Sequence, residues 1–150
     1  MRKLLSFMIL LIPAICYTKR PLPDEAYYVY NFFSKTEYKH VADIITSQAI
    51  LESGWFKSRM HIKLNNYFSI KDWLDYRCAR RPIYCLKKYK SLKHSCQGMY
   101  SYIKNKRYST IRNNYYIDLK RKRYAKDPHY VRKLKKITKH IKYRLYYAYK

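Results

Sequence analysis

The sequence predicts a mainly α-helical domain of the α+β class, with a small β or irregular lobe near the middle of the chain. Apolar side chains recur at three- and four-residue steps up to Leu64 and again beyond Ser91, as they do on the buried faces of helices. Between Asn65 and Tyr89 this period breaks down. With 150 residues, the chain has the size of one domain.

Three helices are expected in the first half of the chain. Asp24 is placed to cap the first, which runs to about Tyr38. The second spans roughly residues 40–53 and stops before Gly54, where a helix can exit through a left-handed turn, and a short third helix covers about residues 57–64. One face of the second helix collects Val41, Ile44, Ile45, Gln48, Ala49 and Glu52.

The second half of the chain predicts the irregular lobe followed by three more helices. The weak alternation in "NNYFSIKDW" and "RPIYCLKKY" indicates short strands or loops. Ser91 then caps a helix to about Asn105, and another helix covers about residues 110–122. The last helix begins at Asp127 and Pro128, a capping residue followed by a proline that suits the first turn.

The N-terminus has the pattern of a secretory signal. Arg2 and Lys3 precede the uncharged run "LLSFMILLIPAIC", which is shorter than the ~20 residues that a membrane-spanning helix needs. We therefore expect a signal peptide over residues 1–16 and a linker over 17–26, followed by the functional domain over 27–150. The expected location is the periplasm, the cell exterior or the cell wall; the alternative is an N-terminal core helix.

The charge of the chain predicts an anionic partner. Lys and Arg number 34 against 9 Asp and Glu, and loss of Arg2 and Lys3 with the leader would reduce the net charge from +25 to +23. Nucleic acid, anionic lipid and an acidic wall polymer all fit such a charge. Export favours anionic cell-wall or outer-membrane polymers, so no specific nucleic acid is expected. The basic, tyrosine-rich C-terminal segment is interpreted as an amphipathic helix that docks on a monomeric domain.

The cysteines and histidines predict a disulfide but no metal centre. Without the leader, Cys78, Cys85 and Cys96 remain. Cys78 and Cys85 flank a short loop and can form a bridge in an exported protein, although the pairing among three cysteines stays open. No Cys and His spacing matches a zinc site, so we expect neither a metal nor a cofactor and interpret the five histidines as ordinary residues.

Glu52 is the residue that the sequence singles out as a candidate catalytic acid. This carboxylate falls on the apolar face at the C-terminal end of the second predicted helix. Apolar neighbours and the negative end of the helix dipole both disfavour its ionised form. A general acid for glycoside cleavage needs that environment, because it must keep its proton near neutral pH. The alternative is an ordinary exposed glutamate.

Three sequence elements resemble the peptidoglycan N-acetylglucosaminidases of glycoside hydrolase family 73, which include flagellar, autolysin and Bax-like domains. The family pattern "QAxLESGWGKS", a spacer and "NNLFGIK" correspond here to "QAILESGWFKS", "RMHIKL" and "NNYFSIK". The "YATDPxY" element corresponds to "YAKDPHY", and "KKYKSLKHSCQGMYSYIKN" is similar to the helix between them. The resemblance covers about residues 28–145 and implies a lysozyme-like helical domain.

The resemblance also implies roles for individual residues. Glu52 matches the catalytic acid, and Tyr124 matches the tyrosine expected to line the cleft opposite it. Further substrate contacts are expected from residues at or near the same motifs: Gln48, Asn66, Phe68 and Tyr130. For Asn66 a structural role in a turn, and for Gln48 a buried hydrogen-bonded role, are the alternatives.

The implied function is hydrolysis of the β-1,4 bond between N-acetylglucosamine and N-acetylmuramic acid in peptidoglycan glycan strands. Phe56 and Ser69 depart from the pattern, since each stands where the family has Gly. The second catalytic group is open: Asp72 or Asp75 activates water, or the substrate's own N-acetyl group assists. The alternatives are a lytic transglycosylase and a non-catalytic cationic protein that binds cell wall, nucleic acid or membrane.

Overall fold

The computed structural model describes residues 21–72 and 85–148. Six α-helices form in these residues, which confirms the mainly helical prediction. A one-turn 3-10 helix, Lys39–Val41, directly precedes the second of them. The α-helices are α1 Asp24–Ser34, α2 Ala42–Glu52, α3 Arg59–Leu64, α4 Leu92–Asn105, α5 Arg112–Arg121 and α6 Tyr130–Ala148.

Helix α2 is the centre of the fold. It packs against α1 on one side and α6 on the other, and every residue from Ala42 to Ile50 is buried. The face predicted from the sequence is buried, and the other faces of the helix are covered as well. Its buried hydroxyls bond within the helix: Thr46 Oγ1 donates to the carbonyl of Ala42 and Ser47 Oγ to that of Asp43, each at 2.8 Å. Polar residues can lie inside because these bonds replace those with water.

The helix starts follow the predictions in part. Ser91 does cap α4, where its side chain accepts a bond from the backbone N–H of His94. Asp24, however, is the first helical residue of α1 and not its cap, since Pro23 occupies the capping position without a side-chain bond. Within the segment expected to be a linker, Leu22 and Ala26 are buried in the core. The signal-peptide residues lie outside the described part of the chain.

The predicted β lobe is not seen in the residues that the structure describes on either side of residues 73–84. Lys71 and Leu86 form one isolated antiparallel bridge, and no strand extends from it in the described residues. The side chain of Asn66 replaces part of a strand ladder: its Nδ2 donates to the carbonyls of Ile70 and Lys87, and its Oδ1 accepts from the N–H of Ile70. Backbone bonds from Asp72 to Cys85 and from Lys87 to Ile70 add to these side-chain bonds, so the loop is held without a regular sheet in the described residues.

Two cysteines of the described residues differ in state. Cys85 is disulfide-bonded. Cys96 is a free thiol on α4 with no exposed surface. Cys78 lies outside the described residues, so its pairing with Cys85 stays a prediction.

No helix in residues 21–72 and 85–148 combines the length and the apolar character that crossing a bilayer requires.

Candidate active site

Glu52 is the last residue of α2, at the end of the most deeply buried helix of the fold. The helix stops because the next residues turn left-handed: Gly54, Trp55 and Phe56 have φ values of 58°, 60° and 59°. Such values are easy for glycine and unfavourable for Trp and Phe. The turn is held by Ser53, whose Oγ donates to the carbonyl of Ala49 and accepts from the N–H of Phe56. The position of Glu52 is therefore fixed by a buried helix before it and a bonded turn after it.

A cleft of about 310 Å³ opens beside Glu52. One wall is the turn after α3, and the other is the segment between α5 and α6 together with Tyr102 of α4. Three cationic side chains line the cleft: Lys71, Arg123 and Lys126. Of the described residues that line it, Glu52 alone is acidic. The cleft thus combines one carboxyl group with a positively charged rim.

Burial raises the pKa of the Glu52 carboxyl above its ordinary value. The hydroxyls of Ser69 and Tyr130 partly oppose that shift, because each interacts more favourably with the charged carboxylate. Neither hydroxyl bonds the carboxyl in ideal geometry, and that of Tyr130 has no partner of ordinary geometry in the described residues. Glu52 consequently keeps its proton to a higher pH than an exposed glutamate does. The hydroxyls of Ser69 and Tyr130 can stabilise its carboxylate once the proton has left.

Tyr124 lies in the same cleft as Glu52. Its hydroxyl donates to the backbone carbonyl of Phe68 at 2.8 Å. The centroid of its ring lies 5.6 Å from the ring centroid of Tyr130 and 5.9 Å from that of Tyr102. Burial, with smaller contributions from Tyr130 and Glu52, raises the pKa of Tyr124 well above that of free tyrosine. The phenol stays protonated and remains a hydrogen-bond donor at any ordinary pH.

Gln48 and Tyr130 lie behind Glu52 and do not line the cleft. Gln48 has no exposed surface, and its Oε1 accepts a 2.8 Å bond from the hydroxyl of Tyr115. Its Nε2 and the Tyr130 hydroxyl are both buried without a partner of ordinary geometry in the described residues. The Tyr130 hydroxyl interacts with both the Gln48 amide and the Glu52 carboxyl. Tyr130 interacts with Glu52 and Gln48 interacts with Tyr130, so both can influence the acid from behind; their contact with substrate stays a prediction.

The other predicted contacts occupy different places. Phe68 lies along the cleft, but its side chain is 1% exposed and packs edge-on against Phe33 at 6.2 Å, so it is the backbone of Phe68 that bonds Tyr124. Asn66 is fully buried in the loop bonds described above. Asp72 is not among the residues that line the cleft; its N–H donates to the carbonyl of Cys85 at 2.7 Å. Asp75 lies outside the described residues.

The sequence did not single out His61, although it lies close to the site. Its Nδ1 is 2.7 Å from Ser58 Oγ and its Nε2 is 2.9 Å from Ser69 Oγ. Ser69 is left-handed, with a φ of 53°, at the position where the family pattern has Gly. That departure was the one sequence signal that could have drawn attention to this pair.

Within residues 21–72 and 85–148, no three His, Cys, Asp or Glu side chains come together as a metal site would require.

Comparison with known proteins gives a family. The family model described as "Glucosaminidase: Mannosyl-glycoprotein endo-beta-N-acetylglucosaminidase" matches residues 33–143, which include Glu52, Tyr124 and both walls of the cleft. No curated protein and no solved structure matches the chain.

Proposed function

The chain belongs to the glucosaminidase family, and from this premise we propose that it is a peptidoglycan hydrolase with Glu52 as its general acid. Membership implies a glycoside hydrolase. The proposed bond is the β-1,4 linkage between N-acetylglucosamine and N-acetylmuramic acid. The observation that carries the proposal is a carboxyl of raised pKa in a cleft that also contains Tyr124.

The proposed step begins with Glu52 in its protonated form. Burial at the end of α2 keeps the proton on the carboxyl until a glycosidic oxygen is positioned to accept it. Transfer of the proton makes the leaving group an alcohol, and charge develops on the sugar carbon as the bond breaks. The Glu52 carboxylate that remains is then near the hydroxyls of Ser69 and Tyr130.

Tyr124 is proposed to position the sugar. It presents a neutral phenol ring to the cleft while its hydroxyl is occupied by the carbonyl of Phe68. Because Tyr102 and Tyr130 pack against it, the ring can hold one orientation against a sugar face. The cations Lys71, Arg123 and Lys126 suit a substrate that carries carboxylates, as peptidoglycan does.

The group that completes the reaction is either the substrate's acetamido oxygen or an aspartate, Asp72 or Asp75. The two routes give different products. Assistance by the acetamido group retains the anomeric configuration, whereas direct attack by an activated water inverts it. Proton NMR of the first product formed distinguishes them, and Asp72→Asn and Asp75→Asn each test one residue. If the parent inverts the configuration and one variant loses activity, that aspartate is the base. If the parent retains the configuration and both variants stay active, the acetamido group of the substrate assists the reaction.

The decisive experiment compares the parent with Glu52→Gln on purified peptidoglycan. The substitution keeps the shape of the side chain but removes the proton, so activity should fall by ~100-fold or more. Glu37→Gln, at an exposed position outside the cleft, is the matched control and should keep the activity of the parent. Mass spectrometry should show a reducing N-acetylglucosamine end; a 1,6-anhydro ring would indicate a lytic transglycosylase instead. Full activity of Glu52→Gln would refute the assignment.

A second candidate function is favoured by the cationic surface of α6. Arg132, Lys135, Lys136 and Lys139 line one shallow cavity on this helix. Under this alternative the protein is a non-catalytic binder of anionic polymers or membranes, and binding should weaken with salt and survive Glu52→Gln. Under the main proposal the same surface holds the enzyme on anionic wall or outer-membrane polymers. Export to the periplasm, cell wall or exterior, with residues 1–16 as the signal, is part of the proposal.

A further inference from the structure

His61 has both ring nitrogens engaged by hydroxyl groups. Nδ1 lies 2.7 Å from Ser58 Oγ, and Nε2 lies 2.9 Å from Ser69 Oγ. The side chain is 7% exposed, and burial lowers its pKa, so the imidazole is neutral near pH 7. A neutral imidazole has one N–H donor and one acceptor nitrogen, so it can connect two hydroxyl groups into a directed chain.

Ser69 connects His61 to the cleft. It lines the cleft together with Glu52, and its hydroxyl is near the Glu52 carboxyl. A serine with a φ of 53° is less favourable than the glycine of the family pattern. The side chain that replaces glycine here therefore has a defined place between the histidine and the acid.

We propose that Ser58, His61 and Ser69 form a hydrogen-bonded chain that holds the Ser69 hydroxyl toward the Glu52 carboxyl, so that His61 and Ser69 are positioning residues for the acid. The inference rests on the proposed role of Glu52. The direction of the hydrogen bonds along Ser58, His61 and Ser69 follows from the number of protons that each group can donate. Ser69 has one hydroxyl proton, which can go to Glu52 only if Ser69 Oγ accepts from His61 Nε2–H. His61 Nδ1 must then accept from the Ser58 hydroxyl.

This chain acts on the form of Glu52 left after proton transfer. A hydroxyl that donates to the carboxylate stabilises the anion and opposes the effect of burial on the pKa of the acid. Removing the donor should raise the pKa of Glu52, and activity that needs the protonated acid should then extend to higher pH. Other groups face Glu52 from the elements around it, and they are unchanged in the variants below: Gln48, Lys71, Arg123, Tyr124, Lys126 and Tyr130.

The protein contains a second Ser-x-x-His pair that serves as a matched control for His61. Ser91 and His94 at the start of α4 repeat the same Ser-x-x-His arrangement, with Ser91 Oγ 2.8 Å from His94 Nδ1. His94 is exposed and does not line the cleft. Substituting both histidines in the same way separates the loss of a serine–histidine side-chain contact from the loss of the link to Ser69.

The first test is the pH profile of peptidoglycan cleavage. We expect Ser69→Gly to shift the alkaline limb upward by about one pH unit and His61→Phe to shift it in the same direction. His61→Gln, whose Nε2–H can replace that of the imidazole, should restore the parent profile, and His94→Phe should leave it unchanged. The double variant Ser69→Gly/His61→Phe should match Ser69→Gly alone, because both changes break one chain. Unchanged limbs in Ser69→Gly and His61→Phe, or additive shifts, would overturn the proposal.

A second test does not need activity. The side-chain carboxyl of Glu52 can be followed by ¹³C NMR after labelling of the three glutamates, with Glu52→Gln to assign its signal. Ser69→Gly removes a left-handed serine and is expected to fold even if His61→Phe does not. A higher pKa of Glu52 in Ser69→Gly supports the chain even if the parent cleaves nothing, whereas an unchanged pKa refutes it. Inactivity of the parent would instead count against the proposed function.

Discussion

The hydroxyl of Tyr124 donates a 2.8 Å hydrogen bond to the backbone carbonyl of Phe68. This bond joins the two walls of the cleft, because Phe68 belongs to the turn after α3 and Tyr124 follows α5. The tyrosine of the "YAKDPHY" element therefore sets the width of the cleft as well as lining it.

Tyr124→Phe should reduce both stability and activity. The variant keeps the ring but leaves the Phe68 carbonyl without its partner, so the free energy of unfolding should fall by about 1 kcal/mol. Cleavage should weaken because the wall that faces Glu52 is no longer held. Urea unfolding and the peptidoglycan assay measure the two effects. Tyr28→Phe, at an exposed position on α1, is the matched control and should change neither.

Glu52→Gln should stabilise the fold in a pH-dependent way. Burial raises the pKa of Glu52 in the folded state, so the folded protein binds more protons than the unfolded chain between the two pKa values. The protonated Glu52 contributes fully to the free energy of unfolding below pH 4.3, which is about the pKa of glutamate in the unfolded chain. That contribution is lost as the pH rises through the higher pKa of the folded state. The melting temperature of Glu52→Gln relative to the parent should therefore increase from pH 4 to pH 8. A difference that stays constant or falls over that range would contradict the prediction.

Gly98→Ala should destabilise the protein although alanine favours helices. A Cβ atom at Gly98 in α4 would lie only 2.6 Å from Cζ of Tyr89. Overpacking of this kind costs about 1–3 kcal/mol. The same substitution in a Tyr89→Leu background tests the cause: with the ring removed, the cost should disappear, and a cost that persists would show that the ring is not responsible. Thermal and urea unfolding give both values.

Arg112→Leu should cost about 3 kcal/mol of stability. Nη2 of Arg112 lies 2.8 Å from both carboxylate oxygens of Asp43, and Asp43 is 6% exposed. Removal of the guanidinium leaves a buried carboxylate without its cation. Arg121→Leu is the control, because Arg121 is 72% exposed and its partner Asp118 keeps Lys122 at 3.4 Å. The control should cost less than about 1 kcal/mol. Asp118 is as buried as Asp43, so equal losses in both variants would show that the loss of the last paired cation is not the cause.

The sequence predicted features that depend on neighbouring residues. Gly54 indicated the left-handed exit of α2, and its φ of 58° confirms that exit. Ser91 indicated the start of α4, and its side chain does cap that helix. Local backbone preferences decide both features, so they can be recognised from a few letters of sequence.

The features that the sequence missed depend on contacts between distant residues. Weak alternation after Asn65 indicated short strands or loops, and the choice between them depends on distant contacts such as the bond of the Asn66 amide to the carbonyl of Lys87. His61 looked like an ordinary histidine because its bond to Ser69 joins residues eight positions apart. Ser-x-x-His occurs twice in the chain, and only folding shows which histidine lies near the acid.

The burial of Cys96 has a consequence for the disulfide at Cys85. Its thiol has no exposed surface, and burial raises its pKa to about 12. The thiolate, which is the form that attacks disulfides, is therefore a very minor species at pH 7. Once α4 has folded, the thiol of Cys96 cannot readily attack the disulfide at Cys85. Packing of α4 thus lets a free thiol and a disulfide coexist in one domain.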